Sequence, residues 1–197
     1  MSGLDAATLA RLRALVPEDD APVRVPPAPV KQLRPLARLT AVASGRAQRS
    51  QPTNIFRVLG RHPRLFRAWL RYSARLMPFG TLPRKDAELV ILRVAWRTGA
   101  AYEWHQHVLL GARAGLGADE IQCAASDGGE GWTSRQEMLI RASDELLSAG
   151  RLTDSTWANV EDELQTTGAI ELCMLVGQYQ GLATALGGLG VRVERGG

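Results

Sequence analysis

Apolar residues recur at intervals of three and four along most of the chain after residue 53, a spacing typical of amphipathic α-helices. Glycine, proline and short polar residues mark where each run begins and ends. The two-residue alternation of strands is nearly absent. The sequence therefore predicts an all-α fold, with helices over 54–60, 63–77, 83–97, 101–114, 118–125, 134–149, 154–164 and 167–186.

The first fifty residues follow a different pattern. Residues 4–15 predict a short amphipathic helix, and residues 17–35 contain six prolines, which exclude a regular helix or central strand. We expect an extended arm there, followed by a weak helix or loop over 36–50. The predicted organisation is an N-terminal helix and arm at 1–50, a helical domain at 51–190 and a tail at 191–197.

Composition sets the class of protein. The 197 residues are 45% hydrophobic and 22% charged, as in ordinary globular proteins, and no apolar run suffices for a transmembrane span. A basic-then-apolar leader is not visible at the start, so we expect a cytoplasmic location. Cys123 and Cys173 are far apart and predict free thiols, and the lack of a CxxC excludes the usual dithiol redox motif.

Charge is unevenly distributed. Residues 21–85 hold fourteen basic residues and no acidic one. This asymmetry suggests a nucleic acid or an acidic protein as partner. However, arginines at helical spacing opposite an apolar face also form an ordinary solvated stripe, and no nucleic-acid recognition motif is visible. We therefore disfavour nucleic acid; the basic part would equally suit the acidic part of a neighbouring subunit.

The segment 88–107, ELVILRVAWRTGAAYEWHQH, carries the candidate chemistry. Glu88 lies on an apolar helical face, where partial desolvation favours proton exchange. Glu103 and His107 are four residues apart on the next helix, so we expect their side chains to meet, an arrangement that suits general acid–base catalysis. The alternative for each group is an ordinary ion pair without a catalytic role.

The remaining residues of this segment suggest neither a metal nor a cofactor. His105 lies on another side of the helix from His107, and a third metal ligand cannot be placed. Tyr102, Trp96 and Trp104 are either core residues or walls of a substrate pocket. We expect them to bind substrate if the pocket lies here.

The chain resembles the carboxymuconolactone decarboxylase and alkyl hydroperoxidase D superfamily over about residues 54–190, most specifically from Glu88 to Ile121. In the peroxidase branch a Glu precedes a CxxC by twelve residues, and a His follows the second Cys by four. Here Glu88 and His107 stand at those positions, but Ala100 and Glu103 replace both cysteines. The resemblance therefore implies a helical homo-oligomer (dimer, trimer or hexamer) of the decarboxylase type, with His107 as the principal proton carrier.

These observations predict a cofactor-free acid–base enzyme for a small carboxylate or lactone-like substrate. Decarboxylase, isomerase and cyclase reactions share the required proton transfer. Two alternatives remain open: a non-enzymatic binding or assembly protein that uses the basic segment, and a hydroperoxidase-like redox protein.

Overall fold

A computed structural model describes residues 3–18, 20–48, 50–127 and 131–194. Within these ranges regular secondary structure is helical, with one 3-10 turn at Val30–Gln32. The α-helices are α1 Ala6–Arg13, α2 Pro35–Gln48, α3 Asn54–Leu59, α4 Pro63–Leu76, α5 Arg84–Arg97, α6 Ala101–Ala114, α7 Ala118–Ala124, α8 Ser134–Ala149 and α9 Asp154–Leu189. The predicted all-α class is confirmed.

One helix differs from the prediction. Residues 35–48 form a full helix, α2, rather than a weak helix or loop, because Ala37, Ala41 and Gly45 share one inward face and pack closely. The two last predicted helices, over 154–164 and 167–186, are present as the two arms of α9, which meet at Gln165, where φ is +56° and ψ is 172° and the backbone is not helical.

Helix α5 is the centre of the molecule. Its residues 87–95 are all buried, by α8 and α9 on one side and by α1, α6 and α7 on the other. Removing this apolar surface from water is the main stabilising contribution to such a fold. A helix packed on all sides holds its polar side chains in fixed positions, and this is what places Glu88.

The N-terminal segment packs against the helical bundle. In α1, Leu12 is fully buried, and its carbonyl accepts a 2.8 Å hydrogen bond from the indole N–H of Trp104. The arm is extended, as expected, and the backbone N–H groups of Arg24 and Val25 donate to the Leu189 carbonyl. The proposed division at residues 50 and 190 stays a prediction, but α1 shares a core with α5 and α6.

None of the described helices is both long and apolar enough to cross a lipid bilayer.

Candidate active site

Helices α5 and α6 form an antiparallel hairpin that brings Glu88 and His107 together. The turn between them contains Gly99 at φ +64°, a conformation that favours glycine. Gly111, one turn after His107, lets the helices approach closely, because a Cβ there would lie 3.3 Å from Leu92 Cδ1 and 3.7 Å from Glu88 Cβ. The hairpin therefore sets the distance between the two functional side chains.

The Glu88 carboxylate is completely buried and contacts two basic side chains, those of His107 and Arg84. Its Oε2 lies 2.6 Å from Nδ1 of His107, and its Oε1 lies 2.7 Å from Nη2 of Arg84. The Arg84 contact is an ion pair that lacks hydrogen-bond geometry. This three-residue chain compensates a charge that would otherwise be costly to bury.

The contact with Glu88 determines what His107 can do. A carboxylate only accepts hydrogen bonds, so Nδ1 of the ring carries the donated proton. The other ring nitrogen, Nε2, makes no hydrogen bond to a described residue. The edge of the Tyr179 ring packs on the imidazole at a centroid distance of 5.2 Å. His107 is thus held in one orientation with Nε2 left to exchange protons.

Glu103 does not pair with His107, so that expectation was wrong. The spacing of four residues allows contact, but Nδ1 of His107 is bonded to Glu88 instead. Glu103 is 3% exposed, and neither of its carboxyl oxygens has a hydrogen-bond partner among the described residues. Burial raises the pKa of Glu103 well above 4.5. Burial therefore favours the neutral form of this carboxyl group, which can donate a hydrogen bond.

A cavity of about 420 Å³ opens onto these groups. It lies between α3, α4, α6 and α9. Its polar wall includes Thr53, Arg84, Tyr102, Glu103, His107 and Tyr179. Its apolar wall includes Phe56, Trp69, Leu70, Met77, Leu110 and Leu182. This volume is typical of small-molecule sites. The structure thus combines a buried acid–base pair with space for a substrate.

Two lining residues were not assigned a role in the site from sequence. The hydroxyl of Thr53, a residue 1% exposed, has no hydrogen-bond partner among the described residues. Burial and the Glu88 carboxylate raise the pKa of Tyr179 well above 10. Tyr179 had a signal in the sequence, since it is a polar aromatic residue within the apolar run 169–186. Thr53 had none beyond its position as a helix cap.

Of the three aromatic residues expected at the pocket, Tyr102 lines the cavity. Its hydroxyl donates a 2.8 Å hydrogen bond to Glu194 Oε1 and accepts one from the Ile55 N–H. Trp104 points away, into the core beside α1, and Trp96 stacks under the guanidinium groups of Arg93 and Arg97. Contrary to expectation, Trp96 and Trp104 do not line the cavity.

The thiols lie elsewhere. Cys123 in α7 and Cys173 in α9 are half-buried, and neither lines the cavity at His107. Burial raises the pKa of the Cys173 thiol, which disfavours the reactive thiolate. Within the described residues, no three His, Cys, Asp or Glu side chains form a group that could hold a metal ion.

Comparisons with known proteins agree with this architecture. Residues 63–129 match the model of the carboxymuconolactone decarboxylase family, a range that includes Glu88, Glu103 and His107. Among curated proteins, no sequence matches the chain significantly. A solved structure from Ralstonia eutropha, described as an alkylhydroperoxidase AhpD core and an uncharacterized peroxidase-related protein, superposes with a TM-score of 0.73 at 16% identity. The match covers 88% of this chain and 94% of that one. The chain is thus similar to the carboxymuconolactone decarboxylase family over residues 63–129, and it shares the fold of the alkylhydroperoxidase AhpD core.

Proposed function

We propose that this protein is a cofactor-free acid–base enzyme that transfers a proton to or from a small lactone-like or carboxylate substrate through Nε2 of His107. The observation that carries the proposal is the 2.6 Å contact between His107 and the fully buried Glu88, at the wall of a 420 Å³ cavity. A base within a substrate-sized cavity, oriented by a buried carboxylate, is the arrangement that general acid–base catalysis requires.

Each polar residue has a distinct role in this proposal. Glu88 fixes the orientation of His107 and stabilises the imidazolium that forms when Nε2 takes a proton, while Arg84 offsets the Glu88 charge. The neutral Glu103 donates a hydrogen bond to the substrate oxygen on which negative charge develops. Tyr179, held neutral by its raised pKa, is a second such donor.

The proton transfer is common to three reaction types. His107 removes a proton from a carbon beside a carbonyl, and the C–H electron pair moves toward the carbonyl oxygen. Return of the proton at another carbon gives an isomer. A decarboxylase uses the return step alone, after carbon dioxide has left with the electron pair remaining on carbon. In a cyclase, the proton moves as an oxygen nucleophile closes the ring.

A thiol peroxidase is the alternative suggested by the description of the Ralstonia structure. Ala100 and Glu103 occupy the positions of the two thiols, so the cavity lacks the nucleophile and the resolving group. We therefore expect no thiol-dependent peroxide reduction.

A binding protein that uses the basic segment is the other alternative. Several of its guanidinium groups are already engaged within the chain. Arg57 and Arg61 donate 3.0 Å hydrogen bonds to arm carbonyls of Ala28 and Pro26, and Arg84 pairs with Glu88. These contacts give part of the basic excess a structural role and weaken the case for a polyanion partner.

Substitution of His107 tests the proposal. We expect His107→Gln to lower the turnover of lactones and carboxylated lactones, followed by NMR, at least about 100-fold, since general acid–base groups contribute that much or more. His105→Gln is the matched control, because His105 lies two positions away on α6 and outside the cavity wall. Equal turnover by the wild type and His107→Gln would refute the assignment.

A further inference from the structure

The charges around the cavity are already balanced. Among the described side chains that line it, Arg84 is the one permanent cation, and the Glu88 carboxylate lies 2.7 Å from its guanidinium. An anionic substrate would lose its hydration on entry without gaining a free cation, and it would also approach Glu88. Burying an uncompensated charge in this way is strongly unfavourable.

Two buried polar groups of the cavity wall lack hydrogen-bond partners within the described part of the chain. They are the Thr53 hydroxyl and the Glu103 carboxyl group, both over nine-tenths buried and without partners among the described residues. Buried polar atoms in folded proteins almost always have hydrogen-bond partners, so these atoms have the character of a ligand site. Of the other polar lining groups, Tyr102 and Gln106 are already bonded to Glu194.

We infer that the substrate is a neutral molecule with an apolar body and a carbonyl oxygen, such as a lactone, ester or ketone, which accepts hydrogen bonds from Glu103 and Thr53. Phe56, Trp69 and Leu182 contribute apolar wall for the body of the substrate. The volume holds on the order of a dozen non-hydrogen atoms, at about 30 Å³ per water-sized group. Glu103 and Thr53 are then the residues that select a carbonyl.

This inference rests on the proposed acid–base function and narrows it. A neutral carbonyl compound has no carboxylate to lose, so decarboxylation is excluded. His107 removes a proton from the carbon beside the carbonyl, and return of the proton at another atom gives an isomer. In the first step the C–H bond breaks, Nε2 of His107 gains the proton, and the electron pair forms an enolate. The enolate oxygen is stabilised by the hydrogen bond from neutral Glu103, and no redox partner is needed.

Binding of matched neutral and anionic compounds tests the inference. The probes are δ-decalactone against 5-hydroxydecanoate, and methyl nonanoate against decanoate, titrated by calorimetry near neutral pH. We expect each neutral compound to bind at least about tenfold more tightly than its anion, the difference that roughly 1.4 kcal/mol produces. Measurement on His107→Gln as well separates binding from chemistry.

Variants identify the residues that carry the selectivity. Glu103→Leu removes the donor and should weaken lactone binding about tenfold, whereas Glu103→Gln keeps an N–H donor and should bind within about threefold. Thr53→Val should weaken lactone binding about fivefold. This variant serves as the second test if Glu103→Leu does not fold. Ser143→Ala is the control, because Ser143 is buried but bonded to Leu139 away from the cavity.

Two results would overturn the inference. One is failure of both neutral compounds to bind more tightly than their anions. The other is lactone binding that is unchanged in the folded Glu103→Leu and Thr53→Val variants. If anions bind better while His107→Gln still abolishes turnover, the substrate class is wrong and the acid–base function stands. If neutral compounds bind selectively but His107→Gln turns over substrate at the normal rate, the substrate class stands and the acid–base function of His107 is wrong.

Discussion

At the scale of single residues, Glu103 is a buried carboxyl group that no described side chain compensates. Its carboxyl oxygens are buried and have no partner among the described residues, and the pKa of Glu103 is raised well above 4.5 by burial alone. The folded protein therefore keeps a proton on this group that the unfolded chain releases. A residue that costs stability in this way is typical of a functional site.

The first prediction concerns the pH dependence of stability. Above about pH 4.5 the unfolded chain loses the Glu103 proton while the folded protein keeps it, so the free energy of unfolding falls as pH rises. Glu103→Gln cannot ionise and should be increasingly more stable than the wild type from pH 4.5 upward. Thermal unfolding across this range measures the gap, and parallel stability curves would contradict a neutral Glu103.

His105 gives the opposite dependence. Burial and the nearby positive charge of Arg13 lower the pKa of His105 to about 4. Between pH 6.5 and 4 the unfolded chain binds a proton that the folded protein does not, so stability falls as pH falls through this window. His105→Gln should flatten the acid side of the stability profile. An unchanged profile would show that His105 is protonated normally in the folded protein.

The sequence predicts the identities of the site residues better than their contacts. The spacing of Glu88 and His107 indicates both groups, but the expected local pair of Glu103 and His107 is replaced by the long-range pair of Glu88 and His107. The i,i+4 rule describes one helix and ignores its neighbours. Thr53 and Tyr179 join the site from distant parts of the chain, which local periodicity does not bring together.

At the scale of elements, the entry to α5 is fixed by α9. The Glu171 carboxylate accepts hydrogen bonds from the N–H and hydroxyl of Thr81, each at 2.6 Å, and from the Leu82 N–H at 3.0 Å. These residues directly precede α5, which carries Arg84 and Glu88. These three hydrogen bonds, which we call the Glu171 anchor, attach α9 to the start of α5. They therefore help to hold Glu88 in position beside His107.

Loss of this anchor should destabilise the protein. Glu171→Ala leaves two backbone N–H groups and one hydroxyl without their acceptor, and we expect it to lower the free energy of unfolding by about 3 kcal/mol. Urea denaturation measures the change. Glu161→Ala is the matched control, since Glu161 lies exposed on the same helix and should change stability by less than about 0.5 kcal/mol. Similar small effects in both variants would refute the anchor.

The helices themselves follow from periodicity and capping. The box of Thr133 with Gln136 that was predicted from sequence is present at the start of α8, and Gly115 ends α6 at φ +100°. Helix α2 was underestimated because its inward face uses small residues, which contribute little to an amphipathic pattern. The break near residue 165 was also predicted from the sequence, and it is present as the non-helical backbone of Gln165 between the two arms of α9.

At the scale of the whole molecule, the solvent-accessible area is larger than that of a typical monomeric protein of the same mass. Its accessible area is 10710 Å², whereas a monomeric protein of 21.4 kDa exposes about 9,100 Å² by the usual scaling. Large apolar side chains lie exposed on α4 and α9, among them Leu65, Ile170 and Met174. Such a surface is typical of a subunit that is covered by another copy.

We therefore predict a homo-oligomer that does not depend on nucleic acid. Sedimentation velocity at micromolar concentration should give a mass that is a multiple of 21.4 kDa. Added duplex DNA should leave the sedimentation of the protein unchanged at physiological salt, although weak non-specific binding is expected at low salt. A monomer, or a stable complex with DNA under physiological conditions, would contradict this prediction.

The most direct test of the central claim follows the proton itself. In deuterium oxide, the wild type should introduce solvent deuterium at the carbon beside the carbonyl of a bound lactone, as observed by NMR. His107→Gln should slow this exchange at least about 100-fold, while His105→Gln should leave it unchanged. Exchange in His107→Gln at the wild-type rate would show that His107 is not the proton carrier.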